Sequence, residues 1–173
     1  VNVDEQAAGT NPLVADTDGD GLDDAYEVRV TQTSPTAVDS DSGVTPLNEG
    51  GNGIIDSSED FDDDNLPTGL EEGIGTDPFV VDTDGDGLRD AFEHRNQEED
   101  SLNPTNADSD DDRTPDSRED PDGEGLVNID EQANGTDPHD PDTDGDTLTD
   151  SFKIRTSLTS PTYADSPAPR TDL

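Results

Sequence analysis

Aspartate recurs at alternate positions in Asp82-Thr83-Asp84-Gly85-Asp86-Gly87-Leu88-Arg89-Asp90-Ala91-Phe92-Glu93, a spacing suited to gripping a hard cation. Calcium takes six to eight oxygens, and a twelve-residue loop supplies them from side chains at positions 1, 3, 5, 9 and 12 and from the carbonyl of position 7. Here these are Asp82, Asp84, Asp86, Asp90, Glu93 and Leu88, and Gly87 at position 6 permits the sharp bend. No nucleophile motif, phosphate-binding loop or histidine-based triad accompanies them. Carboxylate pairs are too frequent in this chain to single out a hydrolase, so the chain reads as no enzyme.

The same twelve residues return along the chain. Loop 1, residues 16–27, offers Asp16, Asp18, Asp20, Leu22, Asp24 and Glu27. Loop 4 is the one just described, 66 residues later, and loop 7, residues 142–153, follows after another 60 with Asp142, Asp144, Asp146, Leu148 and Asp150. Loop 7 ends in Lys153 where a bidentate Glu is expected and has Thr147 in place of the glycine, so weak or assisted binding is expected there. Loops 5 and 6 form a tandem without a linker: residues 108–119 bring Asp108, Asp110, Asp112, Thr114, Asp116 and Glu119, and residues 120–131 bring Asp120, Asp122, Glu124, Leu126 and Glu131.

A worn tandem lies sixty residues earlier. Loop 3, residues 60–71, has Asp60, Asp62, Asp64, Leu66 and Glu71, with Asn65 at position 6 and Thr68 at position 9. Loop 2 reads as split by an insertion at 43–51, with Asp39 and Asp41 before it and Asn52, Ile54, Asp56 and Glu59 after it; a register starting at Asn48 is the alternative. About seven calcium ions or more are therefore expected.

To present these ligands the chain needs tight loops, short helical turns and rigid joints. Gly-Thr-Asp/Asn-Pro connectors at 9–12, 75–78 and 135–138 predict helix ends with a left-handed glycine and a proline that prevents resumption. Helical turns are expected near 23–31, 89–97 and 149–156, with shorter ones near 68–72 and 128–133. The repeat boundaries give an end piece at 1–15, unit 1 at 16–81, unit 2 at 82–141 and the start of a third unit at 142–173. The fold class expected is a mostly irregular, elongated array of calcium loops with short helices and little or no sheet. Leu22 with Tyr26, Leu88 with Phe92, and Leu148 with Phe152 are expected to give each single loop a miniature core.

Composition explains why metal is needed. Of 173 residues only 24% are hydrophobic and 3% aromatic, and 47 acids against 8 basic residues give a formal charge of -39. Hydropathy and charge alone describe an acidic disordered chain, and divalent cations offer the way out. One divalent ion per loop would bring -39 to -25. Nucleic acid is an unsuitable partner for such a surface, and no apolar run approaches membrane-spanning length. Cysteine is absent, so neither disulfides nor thiolate sites are available. Asn134-Gly135-Thr136 is a sequon and the Thr/Ser/Pro stretches are compatible with O-glycans, so glycans are admitted as partners.

Position 8 decides against EF-hand pairing, in which loops exchange backbone bonds through that residue. It is Pro67 in loop 3 and Pro115 in loop 5, and proline has no N–H to donate. The pattern of DTDGDGLxDxxE, a GTDP connector and a further Asp-rich loop resembles the bacterial and archaeal thrombospondin type 3 repeat family over nearly the whole chain. The resemblance implies extracellular or cell-surface repeats that wrap around calcium ions with little regular structure and serve as spacers or stalks in adhesins. Animal members carry disulfides, so a chain without cysteine fits the microbial branch.

The function expected is a calcium-stabilised structural rod, acting as stalk, spacer or filament subunit of a microbial cell-surface assembly. The alternative is an acidic calcium-binding or mineral-interacting polyelectrolyte without a fixed fold. Head-to-tail self-association is suggested by the ends: Leu173 followed by Val1-Asn2-Val3-Asp4-Glu5 of a second molecule would read like Leu126-Val127-Asn128-Ile129-Asp130-Glu131. A segment of a longer repeat protein would show the same ends.

Overall fold

The computed structural model describes residues 8–40, 51–97 and 102–164. Among these residues there is no strand, only an isolated bridge between Asn103 and Asn106. Among the described residues the loops are punctuated by the short α-helical pieces α1 (Asp24–Tyr26), α2 (Thr68–Ile74), α3 (Asp90–Asn96), α4 (Asn128–Asn134) and α5 (Asp150–Phe152). α1 and α5 widen into π turns, Glu27–Thr31 and Lys153–Ser157. Each of these α pieces starts at position 9 of a loop, as expected for loops 3 and 6 and one residue later than expected for loops 1, 4 and 7.

The start has a local cause. The position 9 amide donates to the carbonyl just before position 1, as in Asp24 N to Ala15 O (2.8 Å), Asp116 N to Ala107 O (3.1 Å) and Asp150 N to Pro141 O (3.0 Å). The loop thus closes on itself, and the chain leaves it already turned into a helix. Loops 2 and 5 instead give single 3-10 turns, Asp56–Ser58 and Asp116–Arg118. There the next loop begins at once, so Glu59 (ψ 155°) and Glu119 (ψ 158°) are extended and no second turn can form. α2 and α4 end on left-handed Gly75 and Gly135, whose amides donate to the Glu71 and Glu131 carbonyls at 2.7 Å.

The chain divides into two compact units, Val1–Thr83 and Asp84–Leu173. In the second, Leu88, Phe92 and Leu102 form a buried cluster with Ile129 packed on it. In the first, Leu22 and Leu66 are buried. The expectation of a miniature core in every single loop fails in loop 7, where Leu148 and Phe152 are 36% and 44% exposed and Lys153 is buried instead. Buried acids outnumber buried apolar side chains among the described residues, so apolar burial is not what chiefly orders this chain.

Positions 4 and 6 of the loops are left-handed, which Gly85 (φ 80°) and Gly87 (φ 112°) accept without strain. The backbone keeps that shape where glycine is missing: Asp63, Asn65, Asp111 and Arg113 are all left-handed, and so is the β-branched Thr147 (φ 82°). Thr147 is exposed and its amide donates to Asp142 Oδ2 (2.7 Å), a bond glycine would retain. Thr147→Gly is therefore expected to stabilise the fold by about 1 kcal/mol, read as a higher midpoint of thermal unfolding.

Candidate metal centre

In loops 1, 5 and 6 the backbone takes one oxygen of several odd-position carboxylates and leaves the other, whereas Asp16 accepts at both, its Oδ1 from Gly19 N (2.6 Å). In loop 1, Asp16 Oδ2 accepts from Gly21 N (3.1 Å), Asp18 Oδ1 from Asp20 N (3.2 Å) and Asp20 Oδ1 from Leu22 N (2.8 Å). Loop 5 repeats this with Asp108 and Arg113 N (2.9 Å), Asp110 and Asp112 N (3.0 Å), and Asp112 and Thr114 N (2.7 Å). Loop 6 follows suit with Asp120 and Gly125 N (3.0 Å), and Asp122 and Glu124 N (2.9 Å). These bonds fix the side chains, so the remaining oxygens are aimed before any ion arrives.

Several of the remaining oxygens are buried and have no hydrogen-bond donor. They include Asp18 Oδ2, Asp20 Oδ2, Asp39 Oδ1, Asp108 Oδ1, Asp120 Oδ1 and Asp122 Oδ2. Carboxylate oxygens of Asp16, Asp18 and Asp20 lie within 4.8 Å of one another, as do those of Asp60, Asp62 and Asp64, of Asp82, Asp84 and Asp86, and of Asp108, Asp110 and Asp112. The position 12 glutamates close the sites from below: Glu27 and Glu93 are fully buried and Glu131 is 1% exposed. Neither carboxylate oxygen of Glu93 or Glu131 meets a donor, nor does Oε2 of Glu27.

Such an arrangement is untenable for ionised carboxylates alone. Burial first, then the neighbouring acids, raise Glu27 and Glu93 to about 9, Glu131 to about 8 and Glu119 to about 7. For Glu27 the neighbours are Asp18, Asp20 and Asp56; for Glu93 they begin with Asp84 and Asp86. An all-oxygen cluster that is desolvated and repels itself needs a hard cation, and calcium fits the donor set. Asp16, Asp18, Asp20 and Glu27 would hold it in loop 1, with the corresponding residues in loops 3 to 6.

Position 9, expected to face the ion, is also held by its own loop. Asp24 accepts from both the amide and the hydroxyl of Thr17, at 2.7 and 2.8 Å. Ser40 does the same to Asp56, Ser109 to Asp116 and Thr143 to Asp150. The position 2 hydroxyl in turn accepts from the connector: Asn11 N to Thr17 (3.0 Å), Asp77 N to Thr83 (2.9 Å), Asp137 N to Thr143 (2.9 Å). Where position 2 is Phe61 or Pro121 there is no hydroxyl, and position 9 is then Thr68 or Asn128, whose side chains donate to Glu59 O (2.8 Å) and Asp116 O (2.7 Å). That pairing of positions 2 and 9 stands in the sequence, but only as a correlation between copies.

A second overlooked residue is the serine at position 10. Ser57 Oγ donates to Asp20 O (2.5 Å). Ser117 gives its amide to Asp86 Oδ2 (2.7 Å) and its hydroxyl to Asp86 O (2.9 Å), and Ser151 does likewise to Glu124 (2.9 and 3.0 Å). Each contact lands on position 5 of the preceding loop, so a ligand of one site is held by its neighbour. Asp20, Glu27 and Asp56 consequently bring carboxylate oxygens from two loops within 4.8 Å. Beyond the loops, Glu72 accepts from Asp23 N (3.2 Å) and Gln132 from Arg89 N (2.7 Å), clipping position 8 of loops 1 and 4.

The weaker loops differ in ways the bonds explain. In loop 2 the position 5 residue is Asn52, whose amide donates to Glu59 (2.8 Å), so this loop offers one carboxylate fewer. Asp41, its expected position 3 ligand, lies outside the described residues. In loop 7 the Lys153 ammonium contacts Asp144 and Asp146. Burial lowers its proton affinity, but those two carboxylates raise it by more.

The bacterial TSP3 repeat family matches the chain at residues 16–35 and 82–96, which begin at position 1 of loops 1 and 4. No curated protein and no solved structure matches it.

Proposed function

We propose that this chain, which the bacterial TSP3 repeat family matches at residues 16–35 and 82–96, is a calcium-stabilised rod that serves as stalk, spacer or filament subunit of a microbial cell-surface assembly. The observation that supports this reading most is the set of buried glutamates Glu27, Glu93 and Glu131, with no donor at Oε2 of Glu27 or at either oxygen of the other two, each in a loop whose position 5 is held by the next loop. Ions then do the work of a core, and order passes between loops 1 and 2, 4 and 5, and 6 and 7, as between neighbours in quasi-linear repeat arrays. No helix among the described residues is long and apolar enough to cross a membrane. The joining of Leu173 to Val1 of a second molecule involves residues outside those described.

Electron microscopy and small-angle scattering in calcium and in chelator test the proposal. Slender particles of constant width in calcium, lost to an expanded coil in chelator, are expected. Compact monomers with unchanged dimensions in both would rule out the rod, and an expanded coil in both would favour the polyelectrolyte.

A further inference from the structure

Loop 7 departs from its siblings in holding a buried lysine. Lys153 Nζ lies 2.6 Å from both carboxylate oxygens of Asp144 and 3.0 Å from Oδ2 of Asp146, with its side chain fully buried. An ammonium has three donors, and three carboxylate oxygens take them. Those oxygens belong to positions 3 and 5, the residues whose buried oxygens lack donors in loop 1. We propose that the Lys153 ammonium is the resident cation of loop 7, so that this loop folds without calcium and binds none.

Reach and charge both fit the exchange. A position 12 glutamate stops short of the ion by one coordination bond, about 2.3–2.6 Å, whereas the longer lysine carries its own charge into that place. Glutamate with a calcium ion and lysine alone each bring the same net charge to the loop. The other loop bonds remain: Gly145 N to Asp142 Oδ1 (3.1 Å), Thr147 N to Asp142 Oδ2 (2.7 Å), Leu148 N to Asp146 Oδ1 (3.0 Å) and Thr143 Oγ1 to Asp150 Oδ2 (2.7 Å). One shape is thus reached with an external cation or with an internal one. The proposal reverses the expectation that Asp142, Asp144, Asp146, Leu148 and Asp150 ligate calcium, and it rests on the reading that the other loops take it.

A consequence follows for loop 6. Ser151 holds Glu124, and Arg155 Nη2 donates to Gly125 O (2.7 Å). A loop that is ordered without calcium therefore supports a ligand of the loop before it.

The test counts calcium bound to the full chain and to Lys153→Glu by native mass spectrometry, and follows amide exchange in chelator. Lys153→Glu is expected to bind one ion more than the parent. In the parent, amides of residues 143–153 should exchange at least roughly tenfold more slowly in chelator than those of 17–27. Lys153→Glu should lose that protection in chelator and regain it in calcium. Equal ion counts, or fast exchange of 143–153 in the chelated parent, would overturn the proposal. Should the parent bind no calcium at all, the proposed function fails, while the exchange measurement in chelator still decides what Lys153 does. It also decides if the variant does not fold.

Discussion

Stripping calcium at pH 9 is expected to abolish most helical ellipticity and to enlarge the hydrodynamic radius, whereas stripping it at pH 5 leaves much of the fold. An ion present at a hundred times its Kd contributes about 2.7 kcal/mol, so a few such sites equal the whole stability of an ordinary domain, about 5–15 kcal/mol. Little else holds this chain together, given 24% hydrophobic residues and a charge of -39. The pH dependence comes from the buried glutamates. Without calcium Glu27 and Glu93 titrate near 9 and Glu131 near 8, above the ordinary 4.5 of an unfolded chain.

A group whose folded value is raised contributes stability that is fully present below 4.5 and is lost as pH climbs through 8 to 9. The calcium-free fold should therefore weaken from pH 5 to pH 9, and the calcium-bound fold should not, because its carboxylates must be ionised to bind. Circular dichroism melts with and without chelator across that range give the measurement. A chelated fold that gains stability with rising pH would contradict the assignment of these glutamates to cation sites. Calcium added to an unbuffered chelator-free chain at pH 7 should also release protons.

Glu93→Gln is expected to act with opposite sign in the two states. In calcium the variant loses the closing ligand of loop 4, one bound ion, and about 3–4 kcal/mol. Without calcium at pH 9 it should be more stable than the parent. The reason is that Glu93 is fully buried with neither oxygen hydrogen-bonded and with Asp84, Asp86, Asp90 and Asp116 as neighbouring acids. A neutral amide relieves that repulsion and offers donors to those carboxylates. At pH 5 the calcium-free difference should shrink, since Glu93 itself is then protonated. Paired melts in calcium and chelator, with an ion count in calcium, read the crossing. Destabilisation in both states would show that Glu93 is structural in the ordinary sense and not a cation ligand.

The sequence by itself determined the repeat, the helix starts to within a residue and the glycine-ended α2 and α4, because each depends on residues close in the chain. Alternating aspartates, a left-handed position 6 and a Gly-Thr-Asp-Pro exit act over a dozen residues, and their meaning does not wait for a partner. Tertiary structure decided what lies between loops. Ser117 and Ser151 look like ordinary polar residues until their hydroxyls reach the position 5 carbonyl of another loop. Asp24 and Asp116 have the spacing of ligands, yet the position 2 residue also reaches them, its amide at one oxygen and its hydroxyl at the other, and only the fold shows those contacts.

The same holds for Lys153. In the sequence it is a missing glutamate, a defect in the last loop. Whether a lysine at that position turns outward to water or inward to Asp144 and Asp146 depends on how far its stem reaches once the loop has closed, which spacing alone does not contain. In the fold Lys153 is hidden among carboxylates, and oxygens of Asp144 and Asp146 take its donors.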